Sequence, residues 1–133
     1  MKYVLDANSI SFWIRGDAII ADKIRNEISQ GSSIVIPPTA YYEVLRGFKH
    51  KSAPKKEQVF SLICNSYDIG KMDISSWDEA AEIYAQSRKI GKAVEDSDIL
   101  IAAYCIINGC TLVTNNTKHF VNISGLNTVD WSK

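Results

Sequence analysis

Residues 95–120 read Glu-Asp-Ser-Asp-Ile-Leu-Ile-Ala-Ala-Tyr-Cys-Ile-Ile-Asn-Gly-Cys-Thr-Leu-Val-Thr-Asn-Asn-Thr-Lys-His-Phe, or EDSDILIAAYCIINGCTLVTNNTKHF in one-letter code. Two carboxylates, Asp96 and Asp98, open the most apolar helical run of the chain, Asn108-Gly109 stops it, and TLVTN follows as a short β-branched strand. Continuous apolar runs of this kind, without strict alternation, belong to strands covered on both faces. A helix feeding directly into such a strand implies a parallel connection. The opening YVL has the same character and ends at Asp6, and SSIVIPP is a third strand, stopped by Pro37 and Pro38.

Between these strands the chain reads as helix. A short helix is expected at Ser9–Trp13, and Asp17–Ser29 places Ile20, Ile24 and Ile28 at helical spacing before Gly31. The segment after Pro38, TAYYEVLRGFK, forms the third helix, because proline is tolerated at a helix start, where its missing N–H has no partner. A loop at Lys51–Pro54 precedes a helix over EQVFSLICNS, and Tyr67–Ile69 reads as a short strand. Ser76 with Glu79 three residues later gives a capping-box pattern for SSWDEAAEIYAQSRKIG, which stops at Gly91, and NTVDW makes a last edge strand. The alternation implies an α/β fold with a central parallel sheet flanked by helices, in one domain spanning residues 1–133.

Composition excludes several classes. At 133 residues, with 46% hydrophobic and 23% charged residues, the chain is globular and holds one core. The apolar run Ile99–Ile107 is far shorter than a membrane span, and Asp6 interrupts any signal-peptide pattern, so a cytoplasmic location without a membrane partner is expected. Cys64, Cys105 and Cys110 form no CxxC and suit small buried hydrophobes in a reducing compartment. Lys plus Arg equals Asp plus Glu at 15 each, so a polyanion has to be attracted by a local patch. Two basic groups are available, Arg46, Lys49, His50, Lys51, Lys55 and Lys56 being one and Arg88, Lys89 and Lys92 the other; each reads either as solvated helix surface or as phosphate contact. Trp13, Tyr41 and Tyr42 likewise divide between packing and base stacking.

Ligands of open parallel sheets bind outside the carboxyl ends of the strands. Asp6 ends the first strand and Asn115-Asn116 follow a later one, so both belong on that rim. Each acidic residue also has a local explanation: Asp6 as a helix cap, Glu43 as a solvated helix residue, and either Asp96 or Asp98 as the cap of its helix. Only one of the last two is needed for that purpose.

Together, YVLDANSIS, YYEVLRGF and EDSDILIAAYCIINGCTLVTNNTKHF resemble the PIN domain, and within it the VapC-type toxin ribonucleases of toxin–antitoxin modules. The likeness covers essentially the whole chain. It implies a metal-dependent endoribonuclease, with tRNA as the favoured substrate, neutralised by a VapB-type antitoxin and paired as a homodimer. By matching positions, Asp6, Glu43 and Asp98 are the catalytic, metal-binding acids. Asn116 stands where relatives carry a fourth acid, Asp96 is a substitute for that charge, and Asn8 and Thr114 join Asn116 as hydrogen-bonding support.

The chemistry agrees. Two unit charges about 4 Å apart repel by roughly 4 kcal/mol at an effective dielectric of about 20, so converging carboxylates take up protons or bind a cation. All-oxygen donors select Mg²⁺ or Mn²⁺ over zinc. A histidine-pair ribonuclease is disfavoured because His50 and His119 lie in unrelated contexts. A phosphatase of the haloacid-dehalogenase kind needs a second aspartate where this chain has Asn8. The remaining alternative is a PIN-like domain that binds RNA or protein without cutting.

Overall fold

A computed structural model describes residues 1–133. Its sheet is built from β1 (Lys2–Leu5), β2 (Ser33–Ile36), β3 (Asp68–Ile69), β4 (Thr111–Val113) and β5 (Asn127–Val129), in the order β3-β2-β1-β4-β5. All four pairings are parallel, with Val4 aligned between Val35 and Leu112. The chain builds outward from β1 to β3 and then returns to place β4 on the other side of β1. The crevice between the ends of β1 and β4 is therefore the topological switch point, where neighbouring connections leave to opposite faces.

Six α-helices cover the sheet: α1 (Ala7–Ile14), α2 (Ala18–Ser29), α3 (Pro38–His50), α4 (Pro54–Ser66), α5 (Ile74–Lys89) and α6 (Asp96–Asn108). Strand side chains alternate between the two faces. Tyr3, Leu5, Ile34, Ile36 and Val113 join the core under α1–α4, whereas Val4, Val35 and Leu112 join the core under α5 and α6. Both sides are buried apolar cores, which is why the strand segments carry no polar alternation. Trp13 packs on Tyr67 and Tyr41 on Phe60, with ring centroids 5.3 and 5.6 Å apart, so these two aromatics are held in packing while Tyr42 stays exposed. The three cysteines are free, and burial pushes the Cys105 thiol up.

The expected elements are all present, with boundaries moved at three helix starts. Helix α1 begins two residues early because the Asp6 carboxylate caps it, and α4 begins at Pro54, three residues before EQVFSLICNS. The largest shift is in α5. Its cap is Asp73, whose Oδ1 accepts the Ser76 N–H at 2.9 Å, so the Ser76–Glu79 box is not used. Ser76 instead lies inside the first turn, fully buried, with its hydroxyl unpartnered. The cap expectation for α6 also fails: Glu95 holds the cap position without a side-chain bond, and Asp96 and Asp98 are both inside the helix. A 3₁₀ turn at Thr117–Phe120, absent from the sequence reading, follows β4. At the far end of α6, Gly109 adopts the left-handed conformation at φ 64°, as a terminating glycine does.

Candidate active site

Leu5 ends β1 fully buried, and the next residue has to turn away from the sheet. The Asp6 N–H still donates to the Val113 carbonyl at 3.2 Å, while its Oδ1 accepts the Ser9 N–H at 2.8 Å and starts α1. Ser9, itself buried, ties the same corner to β4 by donating from Oγ to the Val113 carbonyl at 3.2 Å. One Asp6 oxygen is committed to the cap, and the carboxylate lies on the rim at the switch point. The residue both caps α1 and lines the cavity at this rim.

Beside Asp6 is a cavity of about 180 Å³ lined by Glu43, Glu95, Asp98, Thr114, Asn116 and His119, with Asn8 at its edge. Glu43 reaches it from the middle of α3, one turn beyond Ala40, whose small side chain leaves the space open. Asp98 comes from the first turn of α6. Thr114, fully buried just past β4, accepts the Asn116 N–H on Oγ1 at 3.0 Å, which leaves its own hydroxyl hydrogen available as a donor.

Asp6, Glu43 and Asp98, separated by 37 and 55 residues, thus line one cavity, with Asn8, Thr114 and Asn116 around them. Asp96 does not line it and is exposed. Positions two apart on a helix face different ways, whereas Glu95 and Asp98, three apart, share a side. The fourth carboxylate is therefore Glu95. The i, i+3 spacing within EDSD would have indicated it, but the need for a cap at Asp96 or Asp98 obscured the signal. His119 was also missed: the 3₁₀ turn carries it back to α6, where Nδ1 lies 3.4 Å from Asp98 Oδ2. His50, at the end of α3, does not line the cavity, so the two histidines form no acid–base pair there.

The electrostatics follow from this gathering. Burial pushes the Glu43 carboxyl above its ordinary range; Arg46 opposes the shift, and Asp98, Asp6 and Glu95 add to it. Burial also raises Asp98, with His119 opposing and Glu95 and Asp6 adding. The carboxylates repel one another in a partly dehydrated space, so the cavity carries negative charge that the protein leaves only partly balanced.

They do not form a finished metal cage: no group of three His, Cys, Asp or Glu side chains is arranged to hold an ion as they stand. The expected gathering of Asp6, Glu43 and Asp98 on one rim is seen as the lining of a single cavity. Asp6 is turned toward its cap, Asp98 faces His119, and repulsion opposes closer approach. The donor chemistry nevertheless fits a hard divalent cation, being all oxygen with excess negative charge.

An all-parallel sheet with acidic residues gathered at its switch point defines an α/β domain with an anionic crevice. The chain belongs to the PIN domain family, whose profile matches residues 3–126. It is 28% identical over 99% of both chains to the tRNA(fMet)-specific endonuclease VapC of Shigella flexneri, and 24% identical over the full length of both to Ribonuclease VapC2 of Rickettsia felis. Its fold matches a chain in the crystal structure of Rickettsia felis VapBC2 bound to a promoter DNA fragment, with a TM-score of 0.91 at 22% identity, covering 98% of this chain and 99% of that one. No helix is long and apolar enough to cross a membrane.

Proposed function

We propose that this chain is the toxin of a toxin–antitoxin module and cleaves RNA, tRNA foremost, at the cavity lined by Asp6, Glu43 and Asp98. The observation that carries the reading is the set of carboxylates, drawn from the end of β1, the middle of α3 and the start of α6, that raise one another's affinity for positive charge at the switch point. Asp6, Glu43 and Asp98 would hold Mg²⁺ or Mn²⁺, with Glu95 supplying further negative charge. Bound there, the ion would lower the pKa of a water and stabilise charge on the reacting phosphate.

The chain's own groups orient the rest. The Asp6 cap fixes one carboxylate against the sheet, His119 restrains Asp98, and the Thr114 hydroxyl and Asn116 are positioned to hydrogen-bond a phosphate oxygen or the attacking water. Attack of water on phosphorus with departure of O3′ leaves a 5′-phosphate and a 3′-hydroxyl.

Large apolar side chains remain exposed on α4 (Val59, Leu62) and α5 (Ile74, Trp77, Tyr84), and these helical faces support pairing of two copies. The Rickettsia felis relative is named as a complex with its antitoxin. For this chain we infer a VapB-type partner that covers the acidic cavity with a basic side chain, whose guanidinium would satisfy the same carboxylates.

Incubation with a tRNA pool tests the reading: cleavage with Mg²⁺ or Mn²⁺, arrest in EDTA, and loss in Asp6→Asn are expected. Full cleavage in excess EDTA would overturn it. The open arrangement of the carboxylates favours one competitor, a PIN-like domain that binds without cutting; it predicts RNA binding with no products under any metal.

A further inference from the structure

Zero net charge and an acidic cavity pose a problem for any polyanionic substrate, since neither the whole protein nor the cavity attracts it. The attraction has to come from the flanks. On one side the cavity opens, across Asn8 and Glu43, into a groove of about 310 Å³ between α1 and α3 that is lined by Arg15, Arg46, Lys51 and Lys56. On the other side Glu95, Asp98 and His119 are shared with a second groove that carries Lys92 and Lys118.

None of the four cations of the first groove closes an ion pair, although Arg46 acts on the neighbouring Glu43 carboxylate through space. The ion pairs of the structure are Arg25–Asp22, Lys49–Glu57 and His119–Asp98, and none of the four takes part. Two of them are also held in place: the Arg15 guanidinium lies 4.9 Å from the Phe12 ring centroid and that of Arg46 lies 5.1 Å from Tyr42. Rings beside the guanidiniums restrain the side chains, which lowers the ordering cost of gripping a phosphate. Gly47 supplies the room. It stands inside α3 on the groove wall, and a Cβ there would meet nothing within 4 Å. The basic stretch read from sequence is thereby divided: Arg46, Lys51 and Lys56 face the groove, Lys49 is paired with Glu57, and His50 and Lys55 do not line it.

We propose that the α1/α3 groove is the track for the RNA backbone on one side of the scissile phosphate, with Arg15, Arg46, Lys51 and Lys56 gripping successive phosphates, and that the strand leaves past Lys92 and Lys118. Contacts of this kind position a strand without reading its bases. The ligand is an unpaired RNA strand, because one phosphate has to descend into the cavity between the two grooves. The assignment rests on the ribonuclease reading, and binding measured without metal separates the two.

The experiment is fluorescence anisotropy of a 5′-fluorescein, mixed-sequence single-stranded RNA in EDTA, across a salt series. Arg15→Ala/Lys51→Ala/Lys56→Ala spares Arg46, which touches the electrostatics of Glu43. This variant should bind about tenfold more weakly or worse, with the slope of log K against log salt reduced by about 2, at roughly 0.7 per lost phosphate contact. Lys2→Ala/Lys23→Ala/Lys133→Ala removes equal charge outside both grooves and should stay within about twofold of wild type. Gly47→Gln fills the groove with no change of charge and should also weaken binding, which guards against misfolding of the triple variant. Equal weakening in the groove and control variants, or wild-type affinity in both groove variants, overturns the track. Groove-dependent binding by a protein that cleaves no RNA with either metal would uphold the track and sink the ribonuclease reading.

Discussion

Helices α5 and α6 are neighbours against the same face of the sheet, and each starts with an aspartate in or beside its first turn, yet the two ends are built for opposite purposes. At α5, Asp73 occupies the cap position, accepts the Ser76 N–H, and is held below the ordinary carboxylate range by that bond. At α6 the cap residue Glu95 makes no such bond, and Asp98, two residues into the helix, is pushed up by burial and by Glu95 and Asp6. The first arrangement satisfies a backbone donor and strengthens the fold. The second leaves the helix end without a side-chain cap and gathers like charges, a local cost that a fold tolerates where a positively charged ligand relieves it.

The sharpest way to test this contrast is to neutralise each aspartate. Asp98→Asn keeps shape and removes charge, and is expected to lower cleavage by about 10³-fold, the loss of several kcal/mol of transition-state stabilisation. Its melting temperature in EDTA should be no lower than that of wild type. A large loss of stability would show Asp98 to be a structural group.

A finer division is expected within the α6 turn. Glu95→Gln should reduce cleavage by about tenfold, in the range seen when groups around a metal site are altered, while Asp96→Asn, exposed and outside the cavity, should leave cleavage unchanged and stability within about 0.5 kcal/mol. Reversal of that order in a kinetic assay would restore Asp96 to the site. At α5 the effect is on folding alone: Asp73→Ala should lower the melting temperature by on the order of 3 °C without changing the cleavage rate per folded molecule.

The smallest effect, and the one that compares the two ends directly, is the pH dependence of stability in EDTA. Asp73 is depressed in the folded state, so its contribution is present above the ordinary carboxylate pKa and is lost as pH falls through the folded value. Glu43 and Asp98 are raised, so the folded chain binds more protons than the unfolded chain over the interval between the two pKa values, and these groups lower stability as pH rises through it. Denaturant titrations from about pH 3 to pH 7 should therefore show the Asp73→Ala penalty growing with pH and Glu43→Gln becoming relatively more stable with pH. Parallel slopes would contradict the electrostatic picture of the cavity.

Much of this was legible along the chain. The strands YVL, SIVI and TLV announce a doubly covered parallel sheet, because continuous β-branched and apolar runs have no solvated face to accommodate. Pro38 and Gly109 mark a helix start and stop by their own backbone restrictions, and the rim position of Asp6 follows from its place at the end of a strand. These are properties of short segments, set by local geometry and period.

Tertiary structure decided what local patterns leave degenerate. Ser76–Glu79 and Asp73–Ser76 offer two caps three residues apart, and burial of Ser76 accompanies the second. Glu95 and Asp96 are adjacent, exposed acids of like chemistry; only the placement of the start of α6 against the rim puts Glu95 on the cavity lining and leaves Asp96 off it. His119 joins Asp98 because a 3₁₀ turn folds back after β4, and Arg15 joins Lys51 and Lys56 because α1 packs beside both α3 and α4. Each of these outcomes depends on which elements meet and at what angle. The physical reason is that a charge acts through space over several ångströms, whereas the sequence orders residues only along the chain.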